Sequence, residues 1–465
     1  MIRLRHQQPS LWEGVWAEEV GDLWEPWMRA ADGLLEDDEL LTKVFEAQGR
    51  RWKQSRRRGR LQTPAEVLLR LMLLKHVRNW SYEVLEREVR ANLVYREFTR
   101  IGTKKVPDAK TLGRLGLVIG AEVVQQWHAR MVELAREHKV VQGRRMRVDT
   151  TVVETNIHYP TDSSLLGDGA RVLTRLTKRI AEAVGGLQNK VRDRMRTVRR
   201  KVVAIAIASR QKGAAGEEKR KQIYRGLLSV VRKVRNQAQR VRAEVKEMSQ
   251  RKRRQVKQEI QELGTMVERV TQVVKQTCAR IFEGNTKSPD KLVSVFEPHT
   301  EIIRKGKASK PTEFGKMVKV QEAENQIITA YQVFEEKPAD TALLVDAVSQ
   351  HEQRLGRTPE LVAADAGFYS QANEKKLAEK GVKRISIPNR STQSETRKKY
   401  QKQRWFKNGQ RWRTGCEGRI SVLKRRHGLD RCLYRGLEGM QRWVGWGVIA
   451  DNLIHIGAAL AANAT

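Results

Sequence analysis

Residues 147–169 read RVDTTVVETNIHYPTDSSLLGDG. Val148, Thr151, Val152 and Val153 give this stretch the β-branched composition of a buried strand. Asp149 stands inside it, and Glu154, His158, Asp162 and Asp168 follow. A turn does not explain Asp149, because Thr150 to Val153 continue the strand. An unpaired carboxylate in a buried strand is expensive, so Asp149 needs cations. Glu154 lies five residues on, on the opposite face of a straight strand, where it reads as a surface or pairing residue. Asp162 precedes two serines at a helix entry and reads as a cap. Asp168 and Gly169 read as loop or as an extra turn. His158 is either a structural histidine or a contact to a phosphate or flanking base.

This acid group lies in a basic chain. Lys and Arg number 91 against 54 Asp and Glu, a net charge of +37 and a pI near 10.4. Such an excess asks for a polyanionic partner, and nucleic acid fits better than an anionic membrane. The opening MIRLRHQQPSLWEGVW has no apolar signal core, which argues for a cytoplasmic protein. The apolar WVGWGVIADNLIHIGAALAANA at 443–464 carries Asp451, Asn452 and His455, costly in lipid, so it reads as a core helix and no membrane is expected. Cys278, Cys416 and Cys432 form no CxxC pair and fit thiols in a reducing compartment.

The 465 residues are too many for one ordinary core. Residues 1–140 read as a helical domain for DNA binding or dimerisation. Pro64 suits a first turn, Asp108 suits an N-cap, and Leu68, Leu71, Leu74 and Val77 recur at helical spacing. The run RRWKQSRRRGR at 50–60 is a solvated helix end or a phosphate contact. Residues 141–170 hold the first strand. Over 171–285 the apolar residues return to near-heptad spacing with Lys and Arg between them, which predicts a long basic antiparallel helical hairpin turning at Gly213 and Gly216. From 286 to 465 the period drops to two. LVSVFEP, EFGKMVKVQEAENQIITAYQVFE, PELVAADAGF and GVKRISIPNR read as strands, with a helix over DTALLVDAVSQHEQRLG. Residues 391–414 read as a loop and GCEGRISVLKRRHG as a helix. The fold class is therefore α/β, a mixed sheet core interrupted by a helical module.

Two further acids resist a bland explanation. Asp365 ends the apolar run ELVAA ahead of Ala366-Gly367-Phe368, and Glu417 sits in TGCEGRISVLK at an expected helix start. Turn formation and the helix dipole are the ordinary alternatives. Acids from strand ends and a nearby helix can converge on Mg²⁺, which takes hard oxygen ligands. Two such ions, about 4 Å apart, serve an in-line displacement at phosphorus.

At these residues the chain resembles the DDE transposases of bacterial insertion sequences, whose catalytic core is ribonuclease-H-like. VDTTVVETNIHYPTDSSLL resembles the first-Asp block of the ISNCY group, related to the IS-4/IS-5-like superfamily, and VAADAGFYS resembles the second. Around the third acid that superfamily often shows Tyr, two residues, Arg, three residues, Glu, six residues, Lys. Arg413, Glu417 and Lys424 match that spacing, and Gln410 stands at the Tyr position. VPDAKTLGRLG is similar to an N-terminal block of such enzymes. The resemblance implies that Asp149, Asp365 and Glu417 bind two Mg²⁺ ions, with Mn²⁺ as a substitute, and that Arg413 and Lys424 hold DNA; Arg425, Arg426 and His158 are further candidate DNA contacts. It implies double-stranded DNA, both element end and target, as partner, and a homodimer or higher oligomer on it. The expected reaction is hydrolysis at an element end followed by transfer of the 3′-hydroxyl into target DNA. The alternatives are an inactive DNA-binding descendant and a metal-dependent nuclease or resolvase that cuts without joining.

Overall fold

The computed structural model describes residues 1–465 apart from 6–10, 51–53, 55, 56, 60, 188–190, 289, 305–310 and 465. Most of the basic run at 50–60 thus lies outside the described residues. The chain divides into two compact units, 1–156 with 303–465, and 157–302.

Among the described residues the first unit opens with the helices α1 (Leu11–Val20), α2 (Pro26–Leu35), α3 (Asp38–Arg50), α4 (Ala65–Val77), α5 (Tyr82–Ala91), α6 (Leu93–Phe98), α7 (Ala109–Val118) and α8 (Ala121–Glu137). α4 is buried from Ala65 to His76, as its unbroken apolar run dictates. Pro64 is its N-cap residue, and Asp108 caps α7 by accepting the Thr111 N–H at 2.9 Å.

The sheet contains β1 (Arg145–Thr155), β2 (Glu301–Ile303), β3 (Glu313–Glu322), β4 (Ile328–Val333), β5 (Leu361–Ala363), β6 (Arg384–Ser386) and β7 (Arg431–Cys432). Its path is β2-β3-β1-β5-β6, with β4 also on β3 and β7 on β1. β3 runs antiparallel to β1, and β5 runs parallel to it. Alternation along β1 assigns its two faces. Met146 and Val148 join Val362 and Ala364 under Leu343, Leu344, Ala347 and Leu377, which come from α14 (Asp340–Leu355) and α15 (Gln371–Glu379). Val153 joins Val318 and Val320 under Leu423, Met440 and Val444. Those residues come from α17 (Arg404–Arg426) and α18 (Gly436–Ala464), which follow the short α16 (Glu395–Lys402). The sheet is therefore covered by helices on both sides.

α18 is long and apolar enough to cross a membrane by length and composition, but most of it is buried inside the protein. Trp446, Ile449 and Leu453 pack with α4 and α8, while Val444 and Val448 pack on the sheet. Two polar residues at its middle find partners there. Asn452 accepts the Ile328 N–H and donates to the Ile328 carbonyl, both at 2.8 Å. Asp451 pairs with Arg419 at 3.0 Å. This matches the core-helix reading of the sequence.

The second unit is richer than the expected hairpin. It holds α9 (Asp162–Val184), α10 (Met195–Ala208), α11 (Ala214–Lys246), α12 (Gln250–Gln255) and α13 (Lys257–Phe282). Ile180, Val198, Leu227, Val234, Leu263 and Val270 share one core. The near-heptad stripe supplies this bundle, but several breaks divide it. Gly213, at φ +90°, precedes α11, whereas Gly216 lies inside that helix.

Other local readings change too. Thr161, not Asp162, caps α9, forming a capping box with Ser164. Asp162 is buried and pairs with Arg280 at 2.9 Å. Asp168 and Gly169 are helical. LVSVFEP is no strand: Gln276 instead takes the Leu292 N–H at 3.0 Å and donates to the Leu292 carbonyl at 2.9 Å, while Leu292 and Val295 join the bundle core. Residues 395–402 and 404–426 are helical where a loop is expected up to 414.

Candidate active site

The first two acids follow one pair of strand neighbours. Arg147 of β1 lies opposite Ala363 of the parallel β5. Asp149 and Asp365 each follow two residues later on neighbouring chains. Asp149 faces the α17 side, since odd positions of β1 point there. Its Oδ1 accepts the Thr150 N–H at 2.7 Å. Asp365 lies two residues beyond β5 as the N-cap of a short 3-10 turn, Ala366–Phe368, and its Oδ1 accepts the Gly367 N–H at 2.8 Å.

Glu417 comes from α17. It is not at a helix start, because the helix begins at Arg404, so the first-turn dipole does not explain it. One helical turn earlier on the same face is Arg413. Arg413 Nη1 lies 2.9 Å from Glu417 Oε1 and 3.7 Å from Asp149 Oδ2. The side chains of Arg413 and Asp149 are each 14 % exposed, whereas that of Glu417 is 56 % exposed. One guanidinium therefore bridges the strand acid and the helix acid, with the solvent side left to Glu417.

A fourth carboxylate escaped the sequence reading. Asp340, the first residue of α14, accepts the Thr150 hydroxyl through Oδ1 at 3.1 Å. A Cβ added at Gly367 would stand 3.1 Å from Asp365 Oδ1 and 3.2 Å from Asp340 Oδ2. Asp340 thus borders Asp365. Gln410, at the variant Tyr position, donates through Nε2 to the Ala364 carbonyl at 3.3 Å and the Ser386 hydroxyl at 3.1 Å. It ties α17 to the ends of β5 and β6.

Nearby groups lack reactive character. Burial pushes the Cys416 thiol well above its ordinary pKa, reinforced by the charges of Glu322 and Asp149, so it stays protonated. His427 is buried, with Nε2 3.6 Å from Asp451 Oδ1, and desolvation lowers its pKa to about 4. This neutral core histidine does not suit the orientation of a scissile phosphate. Glu154 is buried and faces Arg431 at 3.6 Å, a pairing residue rather than a surface one.

The remaining expected DNA contacts belong to different units. Lys424 is half-buried, and Arg425 and Arg426 are exposed at the end of α17. His158 belongs to the second unit, where its Nε2 lies 3.4 Å from Asp168 Oδ2. Among the described residues no group of three or more His, Cys, Asp or Glu side chains stands close enough to hold a metal ion as arranged. By donor type the acids fit a hard divalent cation. Arg413 supplies the positive charge that Asp149 and Glu417 require.

Residues 290–453 match the family described as Transposase DDE domain, and residues 28–115 match the family described as Transposase domain (DUF772). The first match contains Asp365 and Glu417, while Asp149 precedes it. No curated protein and no solved structure matches the chain.

Proposed function

The chain belongs to the DDE transposases of insertion sequences, and from that premise we propose that it cuts DNA at the ends of its element and joins the freed 3′-hydroxyl to target DNA. The observation that carries this reading is the tie of Glu417 to Asp149 through Arg413, with Asp365 two residues beyond the end of β5, the parallel neighbour of β1. The helix-covered sheet, with β3 antiparallel and β5 parallel to β1, supports a ribonuclease-H-like core.

Asp149, Asp365 and Glu417 would hold two Mg²⁺ ions. When bound, such ions activate the attacking hydroxyl and stabilise the leaving oxygen at phosphorus. Arg413 would release the acids and turn to a DNA phosphate, and Lys424, Arg425 and Arg426 would hold the strand beside it. Exposed Glu417 is the ligand most free to adjust. No protein nucleophile is needed, which agrees with a protonated, buried Cys416. The basic helical unit would lie along DNA, and two copies would pair two element ends.

The test is cleavage of the DNA flanking this reading frame, with and without Mg²⁺. Asp149→Asn, Asp365→Asn and Glu417→Gln are each expected to lose strand cleavage by at least about 1000-fold, since each removes charge stabilisation in the transition state. DNA affinity should stay within a few-fold of wild type. A variant that cleaves at full rate in Mg²⁺ removes that residue from the site. Binding without metal-dependent nicking by wild type would favour the inactive DNA-binding alternative, and cutting without strand transfer would favour a nuclease.

A further inference from the structure

Arg147 lies two residues before Asp149 on the same face of β1. It is 5 % exposed and forms an ion pair with Glu322, its cross-strand neighbour on β3, which is fully buried. The same guanidinium donates to the Trp412 carbonyl of α17 and lies 4.9 Å from the centre of the Trp412 ring. The helix leaves room for it at Gly415, where an added methyl would collide with the guanidinium. One buried cation thus touches β1, β3 and α17. Trp412 and Gly415 lie on either side of Arg413 in α17, and Gly415 is two residues from Glu417.

We propose that Arg147, held by Glu322, is a positioning residue that sets the height and rotation of α17 over β1 and so brings Arg413 and Glu417 to Asp149. A buried ion pair is a poor source of stability, because desolvating both charges offsets their attraction. Fixing a register is a role such a pair can fill. The guanidinium cannot swing aside to admit a side chain at position 415, since Glu322 and the Trp412 carbonyl hold two of its nitrogens. A shift of α17 forced at Gly415 moves Arg413 and Glu417 with the helix, and displacements near 1 Å cost about 100-fold in rate. This inference rests on the transposase reading of the acids.

The test is a double-mutant cycle in the full chain, reading single-turnover end cleavage in Mg²⁺ and DNA affinity without metal. Gly415→Ala should lower cleavage by roughly 10- to 100-fold with DNA affinity and helical content unchanged. Arg147→Lys keeps a charge for Glu322 but loses the fork to Trp412, and it should lower cleavage by roughly 10-fold. A lysine leaves space for the methyl, so the double variant should be no slower than the slower single. Effects that multiply, or Gly415→Ala cleaving at the wild-type rate, overturn the positioning role while leaving the assignment of the acids intact. Should Gly415→Ala fail to fold, Arg147→Lys decides alone: slow cleavage at unchanged DNA affinity supports the role, and wild-type cleavage overturns it. A wild type that never cleaves removes the transposase reading and this inference together.

Discussion

Arg413 holds Asp149 and Glu417 at once in the candidate site. A guanidinium between two carboxylates competes with any divalent ion for the same oxygens. Arg413→Gln should therefore be less stable without metal, because two acids lose their shared counter-charge, and should gain more from a divalent ion. Thermal unfolding with and without Ca²⁺, a probe that does not require turnover, measures this. A tenfold gain in ion affinity adds about 1.4 kcal/mol of stabilisation at saturation. Equal Ca²⁺-induced shifts in the variant and wild type would show that Arg413 does not guard the acids. At this scale the sequence was legible where chemistry and local pattern conflicted. Asp149 stood out because nothing in a strand excuses an acid. Asp340 did not, because an acid at a helix start already has a dipole to satisfy it. Arg147 passed for one more cation among 91 Lys and Arg residues, since its partner Glu322 is distant in sequence.

Elements with an apolar stripe were legible, and α17 shows why others were not. Its buried positions are Phe406, Gly409, Cys416, Arg419 and Leu423. The spacing is helical, but glycine, cysteine and arginine carry it, so the segment up to 414 reads as polar loop. LVSVFEP errs the other way: its alternation serves a bundle core, and a glutamine side chain stands in for the neighbouring strand. The buried histidines of α4, α8 and the α17–α18 region also predict a response to acid. Desolvation holds His76 well below its ordinary pKa, His128 at about 3, and His427 and His455 at about 4. Unfolded histidines take protons near 6.5, so these groups contribute stability that is complete above that pH and is lost as pH falls towards 4. Asp451 acts oppositely. Burial raises it to about 6, so the folded state takes its proton first on acidification. His351 is lowered by burial as well, and Glu322 is raised by burial like Asp451; the five histidines outweigh the two acids, and the net loss between pH 7 and 5 should be on the order of several kcal/mol. Urea midpoints at the two pH values test the sign, and an unchanged or higher midpoint at pH 5 would refute it.

Across the whole molecule, the excess charge is unevenly distributed. Residues 157–302 contain 33 Lys and Arg against 15 Asp and Glu, a net +18 of the chain's +37 in under a third of its length. Composition alone announced a polyanionic partner, but it could not say which cations are already paired, since pairing is a property of the folded surface. A cleft in the bundle is lined by Arg171, Arg175, Lys178 and Arg179 of α9. Arg171 is engaged by Asp168 and Lys178 by Asp193, each at 2.7 Å. Among the described residues no carboxylate pairs with Arg175 or Arg179, and both are exposed. They stand one turn apart, about 6 Å along the helix. If the bundle lies along DNA as proposed, these two cations displace counterions from the duplex, and each phosphate contact contributes about 0.9 to the slope of log affinity against log salt. The full chain carrying Arg175→Gln and Arg179→Gln should bind duplex more weakly at low salt, with a slope shallower by about 2. The two side chains point to solvent from a helix whose other face fills the core, so the fold should persist. Fluorescence anisotropy across a salt series, without divalent metal, separates this from any effect on cleavage. A variant whose slope equals that of wild type would mean that these arginines only solvate the bundle, and that DNA is held by other surfaces.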